Sequence, residues 1–415
     1  EVVLHYQGEQ FTTPNWTLHA ADYYKRPGKP AWIHPEFMND TGTGEQILPF
    51  SWMALMRGTD GLGASGYPYP SQRSVFRSLN AFARRYGPWL TTLDSLDRVA
   101  IVVSRRQVGL EGFATSIGGI YFTRLWEAHQ CCLHARHPAT FLYAEDLQPD
   151  TLRRFKAILV VSQRYEPEPP LEKLLAEAKQ RGIALFADGT CRETVVAGCA
   201  PLGVSFDHVE KLNGFNNENA FSDFPEAILA VAPAVAAKLD AVVPPVAKVD
   251  RPEVLVAERG TGDARFVWVV NNTRTPLGQG LLWRLGSGIS SREPVVAEMA
   301  LPVEKGKVVY EVFDGKQVAP QAGGFRADLR YTGARLYAVL PRAIEKLDVA
   351  LSGPLDAGQT VTWTATVPGI EARLPLHVTL RDAAGGLLDE RFTTTGTGTL
   401  TVPVNAALPV ALEAT

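Results

Sequence analysis

The period of the hydrophobic pattern changes partway along this chain, and that change restricts the fold more than any single residue. Before about residue 225, short apolar runs alternate with segments whose apolar residues recur every three or four positions. From about Glu253 apolar residues recur at every second position between tight turns. The first pattern belongs to βα units and the second to antiparallel strands. Residues 2–6 read as a strand and residues 16–24 as a helix, which Pro27-Gly28-Lys29-Pro30 stops before a strand over 32–36. A helix carrying Ile47, Leu48, Trp52, Leu55 and Met56 follows, then a small-residue strand over 62–65. The next helix places Val75, Leu79, Phe82 and Tyr86 in one stripe and is expected to close at Gly87-Pro88.

A second α/β block begins near Arg98. Val99-Ala100-Ile101-Val102-Val103 is apolar without alternation, as expected of a strand covered on both faces. Gly118-Gly119 opens a helix through Trp126 to His134. Strands are expected over 140–143, 157–161 and 183–187, with a charged helix over 171–181. This is a doubly wound, flavodoxin-like arrangement. The Asn-rich stretch 212–220 reads as a surface loop. Beyond Glu253, strands flank Gly260-Thr261-Gly262-Asp263 and recur over 308–313, 327–331 and 336–340, where Pro341 ends the run. A further β module follows Leu347. The expected fold is α/β plus all-β and multidomain. Its domains are 1–96, the C-terminal part of a barrel; 97–225, flavodoxin-like; 226–345, a β-sandwich; and 346–415, a second Ig-like β-sandwich module.

Composition narrows the function classes. The chain has 415 residues, 46% hydrophobic and 20% charged, with net charge -3, so neither nucleic acid nor an anionic membrane is an expected partner. No apolar run reaches the ~18 residues needed to span a bilayer. No signal peptide is read at the start, and a first residue of Glu reads as a processed chain or a fragment; compartment stays open. Four cysteines are too few for a disulfide scaffold. His129, Cys131, Cys132, His134 and His137 carry zinc-ligand chemistry, but no pair among them forms a recognised closed set, so no metal and no cofactor are expected. No Gly-x-Cys-x-Gly elbow and no Gly-x-Gly-x-x-Gly loop occurs in the second block, which leaves it a structural or assembly role.

The chemistry-bearing stretch is Ala31-Trp32-Ile33-His34-Pro35-Glu36-Phe37. Strand side chains alternate, so Trp32, His34 and Glu36 share one face while Ala31 and Ile33 share the other. Barrel enzymes keep their chemistry at the C-terminal ends of their strands, and Glu36 stands at such an end.

In this order of elements the chain resembles the C-terminal two-thirds of a clan A retaining glycoside hydrolase, most closely the family 42-type β-galactosidases. The resemblance implies that residues 1–96 are barrel strands 6 to 8, that Glu36 in His34-Pro35-Glu36-Phe37 is the nucleophile, and that the second domain supports a trimer or dimer. It further implies substrate contacts for His34, Trp32, His5, Tyr6 and Tyr67, the last being the nearest aromatic where strand 8 often carries tryptophan. The acid/base glutamate of an Asn-Glu pair on strand 4 has no counterpart here, and Glu9 is too close in barrel order to replace it. The implied reaction is retaining hydrolysis of β-linked galactosides or similar oligo- or polysaccharides, with this chain alone inactive. The alternative is a non-catalytic carbohydrate-binding or assembly protein with a degenerate barrel.

Overall fold

The computed structural model describes residues 2–3, 21–26, 28–33, 44–63, 70, 73–111, 119–146, 148, 150–208, 220–273, 294–319 and 324–415. Three parallel strands open it: β1 (Val2–Val3), β2 (Ala31–Ile33) and, after helix α1 (Gly44–Met56), β3 (Gly61–Leu62). They pair in the order β1-β2-β3, with Val3 opposite Trp32 and Trp32 opposite Gly61. Ile33 packs with Ala21 and Ala54, so helical residues cover the Ala31 and Ile33 face.

Helix α2 (Arg73–Leu90) departs from expectation, because it runs through Gly87 and Pro88 for two more residues. Proline removes one helical hydrogen bond. Against that, Trp89 and Leu90 extend the stripe of Leu79 and Tyr86 and are buried at 1% and 4% exposure, each worth roughly 2 kcal/mol or more. Trp89 Nε1 also donates to the Arg373 carbonyl at 2.9 Å. Packing therefore outweighs the local stop signal.

After β4 (Asp94–Ser95) comes the α/β layer: β5 (Val99–Val103), α3 (Arg105–Glu111), α4 (Gly119–His134), β6 (Ala139–Tyr143), β7 (Ala157–Val160), α5 (Pro169–Gln180), β8 (Ala184–Ala187) and β9 (Ala200–Pro201). All pairings are parallel, in the order β6-β5-β7-β8-β9. The unbroken apolar run of β5 has the reason anticipated for it. Val99, Ile101 and Val103 pack toward α4, while Ala100 and Val102 join Leu171, Leu174 and Ala178 of α5 on the other face.

Helix α6 (Ala220–Leu239) was not legible in the sequence. It contains Pro225 and Pro233 and is apolar nearly all round, so no stripe stands out. Its Ile228, Val235 and Leu239 are buried in the same core as α4, which puts a division after residue 225 inside a helix of the α/β layer.

The β region starts with β10 (Lys248–Val249), β11 (Val254–Thr261), β12 (Ala264–Asn271), β13 (Val296–Ala300), β14 (Val308–Glu311), β15 (Lys316–Val318), β16 (Phe325–Asp328) and β17 (Ala334–Leu340). They form a six-stranded sheet, β15-β14-β17-β12-β11-β4, facing a three-stranded one, β10-β13-β16. The β11–β12 turn is two residues long, since Thr261 pairs with Ala264, and Gly262 supplies the positive φ (56°) it requires. The six-stranded sheet is buried on both faces. Val256, Val267 and Val269 face Met299 and Phe325 of the smaller sheet; Phe266, Trp268 and Leu336 face Trp52 and Met56 of α1 and Tyr86 and Trp89 of α2. Two more three-stranded sheets complete the chain: β18 (Asp348–Leu351), β19 (Thr360–Thr366) and β22 (Thr397–Thr401), against β20 (Leu376–Arg381), β21 (Leu387–Thr393) and β23 (Ala411–Ala414). Trp363, Val378, Leu380 and Leu400 fill the space between them.

Candidate functional site

Of the six residues singled out from the sequence, Trp32 lies among the described residues; His5, Tyr6, His34, Glu36 and Tyr67 lie outside them. Trp32 is 45% exposed, whereas its neighbours Ala31 and Ile33 are 3% and 1% exposed. Its ring rests on Gly61 of the next strand, where an added Cβ would come within 2.9 Å of the indole. The face that Trp32 presents is thus opposite the helix-packed face.

The start of β2 is held by a clamp that sequence reading did not find. The Ala31 N–H donates to Asp60 Oδ2 at 2.8 Å, and the Ala31 carbonyl accepts from Thr59 Oγ1 at 2.7 Å and from the Asp60 N–H at 2.9 Å. Both backbone groups of the strand's first residue are therefore satisfied by two consecutive residues that lead into β3.

Immediately before the clamp, Arg57 enters a buried ionic joint. Its Nε donates to Asp22 Oδ2 at 2.5 Å, its Nη1 and Nη2 grip the Asp97 carboxylate, and Nη2 also donates to the Ala139 carbonyl at 3.1 Å. Thr140 Oγ1 donates to Asp97 at 2.7 Å, and His129 Nε2 bonds Asp22 at 2.7 Å. Arg57, Asp22, Asp97 and His129 are all at most 6% exposed. Burial by itself would lower the Arg57 pKa, but Asp22 and Asp97 outweigh it and hold the guanidinium charged; Asp97, despite burial, is kept below the usual carboxylate range by Arg57. Arg259 of β11 approaches from the β-sandwich, donating to the Arg57 carbonyl at 3.1 Å and to the Leu93 carbonyl, while Lys25 Nζ donates to the Gly58 carbonyl. The C-terminal end of α1 thus receives two cations, the sign its dipole favours. No sequence signal joins these residues, which lie up to 202 positions apart in bonded pairs.

Lys25 gives this joint a pH dependence. Burial, reinforced by Arg259, lowers its pKa to about 8 from an ordinary 10.5, against the opposing pull of Asp60 and Asp22. Between those values the unfolded chain binds the proton that the folded chain has released. Stability is therefore expected to rise from pH 8 to 10.5, by at most about 3 kcal/mol from this residue. Denaturant unfolding across that window should show a steeper rise for wild type than for Lys25→Met; equal slopes would contradict the assignment.

The C-terminal edge of the five-stranded sheet is where doubly wound folds bind ligands, and here it is filled by the protein's own groups. Glu168 accepts from Ser104 Oγ at 2.8 Å and from the Arg105 N–H at 2.7 Å, occupying the place at the start of α3 that an anion would take. Ser162, just past β7, has a φ of 51°. Its N–H is held by Asp188 at 2.8 Å and its hydroxyl accepts from Arg124 at 2.6 Å. Asp188 also accepts from the Phe206 N–H and Thr190 Oγ1. Burial and Asp188 push the Cys191 thiol up, the opposite of a nucleophilic cysteine. The histidines and cysteines around α4 diverge: His129 goes to Asp22, His134 to the Pro252 carbonyl and His137 to Asp240, while Cys131 and Cys132 are buried in the apolar core. Among the described residues no group of three or more His, Cys, Asp or Glu is arranged to hold a metal ion.

No protein-family model and no curated protein sequence matches the chain. Among solved structures it is similar to the α-L-fucosidase isoenzyme 2 of Paenibacillus thiaminolyticus, with a TM-score of 0.51 and 9% identity over 79% of this chain and 63% of that one. A β-galactosidase from Bacillus circulans sp. alkalophilus aligns with a TM-score of 0.49 and 11% identity over 81% of this chain and 59% of that one. The multidomain fold, mixed α/β followed by many antiparallel sheets, is thus one shared with a glycoside hydrolase. The chain spans less than two-thirds of the length of either protein.

Proposed function

We propose that this chain is the C-terminal portion of a retaining glycosidase, β-galactosidase-like in its substrate class, in which Glu36 is the nucleophile. The observation that carries the reading is the β1-β2-β3 sheet. It is parallel, helix-covered on the Ala31 and Ile33 face, and exposed at Trp32 on the other; alternation continued along the strand would put Glu36 on the Trp32 face. Parallel sheets are stable when both faces are covered, so further barrel strands are the expected cover. Glu36 comes three residues after Ile33, the last described residue of β2, and barrels carry out chemistry at the C-terminal ends of their strands.

In this mechanism the Glu36 carboxylate attacks the anomeric carbon as the glycosidic C–O bond breaks, and an acid supplied by another barrel strand protonates the departing oxygen. That group, now a base, deprotonates a water that displaces Glu36 and restores the carboxylate, the two carboxyl groups lying ~5–5.5 Å apart. His34 is assigned a substrate hydroxyl, as are Tyr67 and one of His5 and Tyr6, which alternation along a strand would set on opposite faces. Trp32, 45% exposed, is assigned an aromatic face toward the sugar. The α/β layer, flavodoxin-like in strand order and with its ligand crevice filled from within, is assigned to assembly as a trimer or dimer.

An activated 2-deoxy-2-fluoro-β-glycoside incubated with the complete enzyme should leave one covalent adduct, mapped by peptide mass spectrometry to Glu36. The 415-residue chain alone should turn over no aryl β-glycoside. An adduct on another carboxylate, or turnover by this chain alone, would overturn the reading in favour of a different site. No adduct and no turnover by the complete protein would favour a carbohydrate-binding or assembly role.

A further inference from the structure

We infer that Asp314-Gly315 is a site of spontaneous covalent modification, where the Asp314 carboxyl group closes on the following amide and reopens as isoaspartate. The Gly315 nitrogen attacks Asp314 Cγ. The amide proton and the carboxyl OH leave together as water, and a five-membered imide remains. Water adding at Cγ restores aspartate. Water adding at the Asp314 main-chain carbonyl carbon instead sends the chain through Cβ and Cγ, which lengthens the backbone by one carbon. In both cases the Gly315 nitrogen recovers its proton, so the one water lost is returned and no other reagent takes part. Glycine in second place favours the attack because no Cβ crowds the nitrogen.

The sequence holds three Asp-Gly pairs of equal local chemistry, Asp60-Gly61, Asp188-Gly189 and Asp314-Gly315, and the fold separates them. Intramolecular attack needs the reacting atoms about 3–3.5 Å apart and aligned, so groups held in other bonds react slowly. Asp188 is 3% exposed, and its carboxylate accepts from the Ser162 and Phe206 N–H groups and from Thr190 Oγ1. The Gly189 nitrogen is held on the Val204 carbonyl at 2.7 Å. Asp60 Oδ2 is held by the Ala31 N–H at 2.8 Å, and Gly61 lies in β3 beneath the Trp32 ring. Asp314 and Gly315 are both exposed, in the four-residue turn between β14 and β15. Among the described residues the Asp314 carboxylate makes no hydrogen bond or ion pair, and the Gly315 N–H has no acceptor. Gly315 has a φ of 63° and nothing within 4 Å of an added Cβ, so the turn has room to rotate. The Asp314 N–H donates to Glu311 Oε2 at 2.5 Å, which fixes the amide before Cα and leaves the side chain free. Across this turn Glu311 pairs with Lys316, and beyond it Val318 packs against the core between the two sheets. An added backbone carbon must be absorbed at that pair, so isoaspartate at 314 loosens β15 from β14.

The test incubates the 415-residue chain at neutral pH in water enriched in oxygen-18, because each imide that reopens takes one oxygen from solvent. Peptide mass spectrometry reads the label at each aspartate, and electron-transfer fragmentation tells isoaspartate from aspartate. Asp314 should label at least about tenfold faster than Asp60 and Asp188, with isoaspartate accumulating at 314. In denaturant, where the fold restrains none of them, the three should label within about threefold of one another. Aged wild type should exchange the Lys316 and Gln317 amides faster than fresh protein. Aged Asp314→Glu should not, since its longer side chain does not close the five-membered ring. Native labelling equal at the three sites, or fastest at Asp60 or Asp188, would overturn the assignment. So would an unlabelled Asp314 after a time in which the denatured chain has reacted. Isoaspartate at 314 with amide exchange in β15 unchanged would overturn the release of the strand.

Discussion

Replacing Arg57 with alanine is expected to destabilise the chain by about 3–5 kcal/mol, because it leaves two buried carboxylates without their cation. Asp97 is 2% exposed and Asp22 6%, and neither can recover full hydration in place. Asp97 would keep Thr140 and Asp22 would keep His129, so the loss is of the charge partner and of the guanidinium hydrogen bonds. Arg57→Lys should recover only part of this, since an ammonium cannot reproduce the forked grip on Asp97 together with the bond to Asp22. Denaturant unfolding followed by tryptophan fluorescence reads the effect. A loss under 1 kcal/mol for Arg57→Ala would show that the joint does not hold the layers together.

The second large effect is expected at the next residue. Gly58 has a φ of 74°, and an added Cβ would stand 1.7 Å from Arg259 Nη1 and 2.1 Å from its Cζ. Alanine in the left-handed region costs roughly 1 kcal/mol or more. Displacing the buried guanidinium would in addition strip donors from the Arg57 and Leu93 carbonyls, at about 1–3 kcal/mol for each group left unsatisfied. Gly58→Ala should therefore cost about 3–5 kcal/mol. Gly182 is the matched control, with a φ of 72° and nothing within 4 Å of its added Cβ; Gly182→Ala should cost only about 1–2 kcal/mol. Equal losses at the two positions would mean that Arg259 yields without penalty. The Arg57 and Gly58 effects should not add, because both act on one set of partners.

How much could be read beforehand differed with the range of the interaction responsible. The strand at Val99–Val103 was legible because burial on both faces leaves a continuous apolar run. The stripe of α2 was legible because residues three and four apart share a face, yet its end was not. Gly87-Pro88 is a stop signal whose outcome depends on Trp89 finding the Arg373 carbonyl, 284 residues away. Helix α6 was hidden because its exposed positions include Ala230, Pro233, Ala234 and Ala237, so no polar face marks the period of the buried Ile228, Ala232, Val235 and Leu239. At the candidate site, alternation separates Trp32 from Ala31 and Ile33, and Trp32 is exposed where they are buried. The clamp and the ionic joint carried no local signal at all.

The sequence by itself determined the quantities that depend on near neighbours: the period of each described segment, the glycines at turns, and that Trp32 faces away from Ala31 and Ile33. Those follow from backbone geometry, which repeats over two to four residues. Only the tertiary structure decided that Asp22, Arg57, Asp97, His129 and Arg259 meet in one dry joint, and that the residues after Arg57 grip the first residue of β2. A buried charge is tolerable only beside its partner, and the partner's distance along the chain is set by packing rather than by any local period.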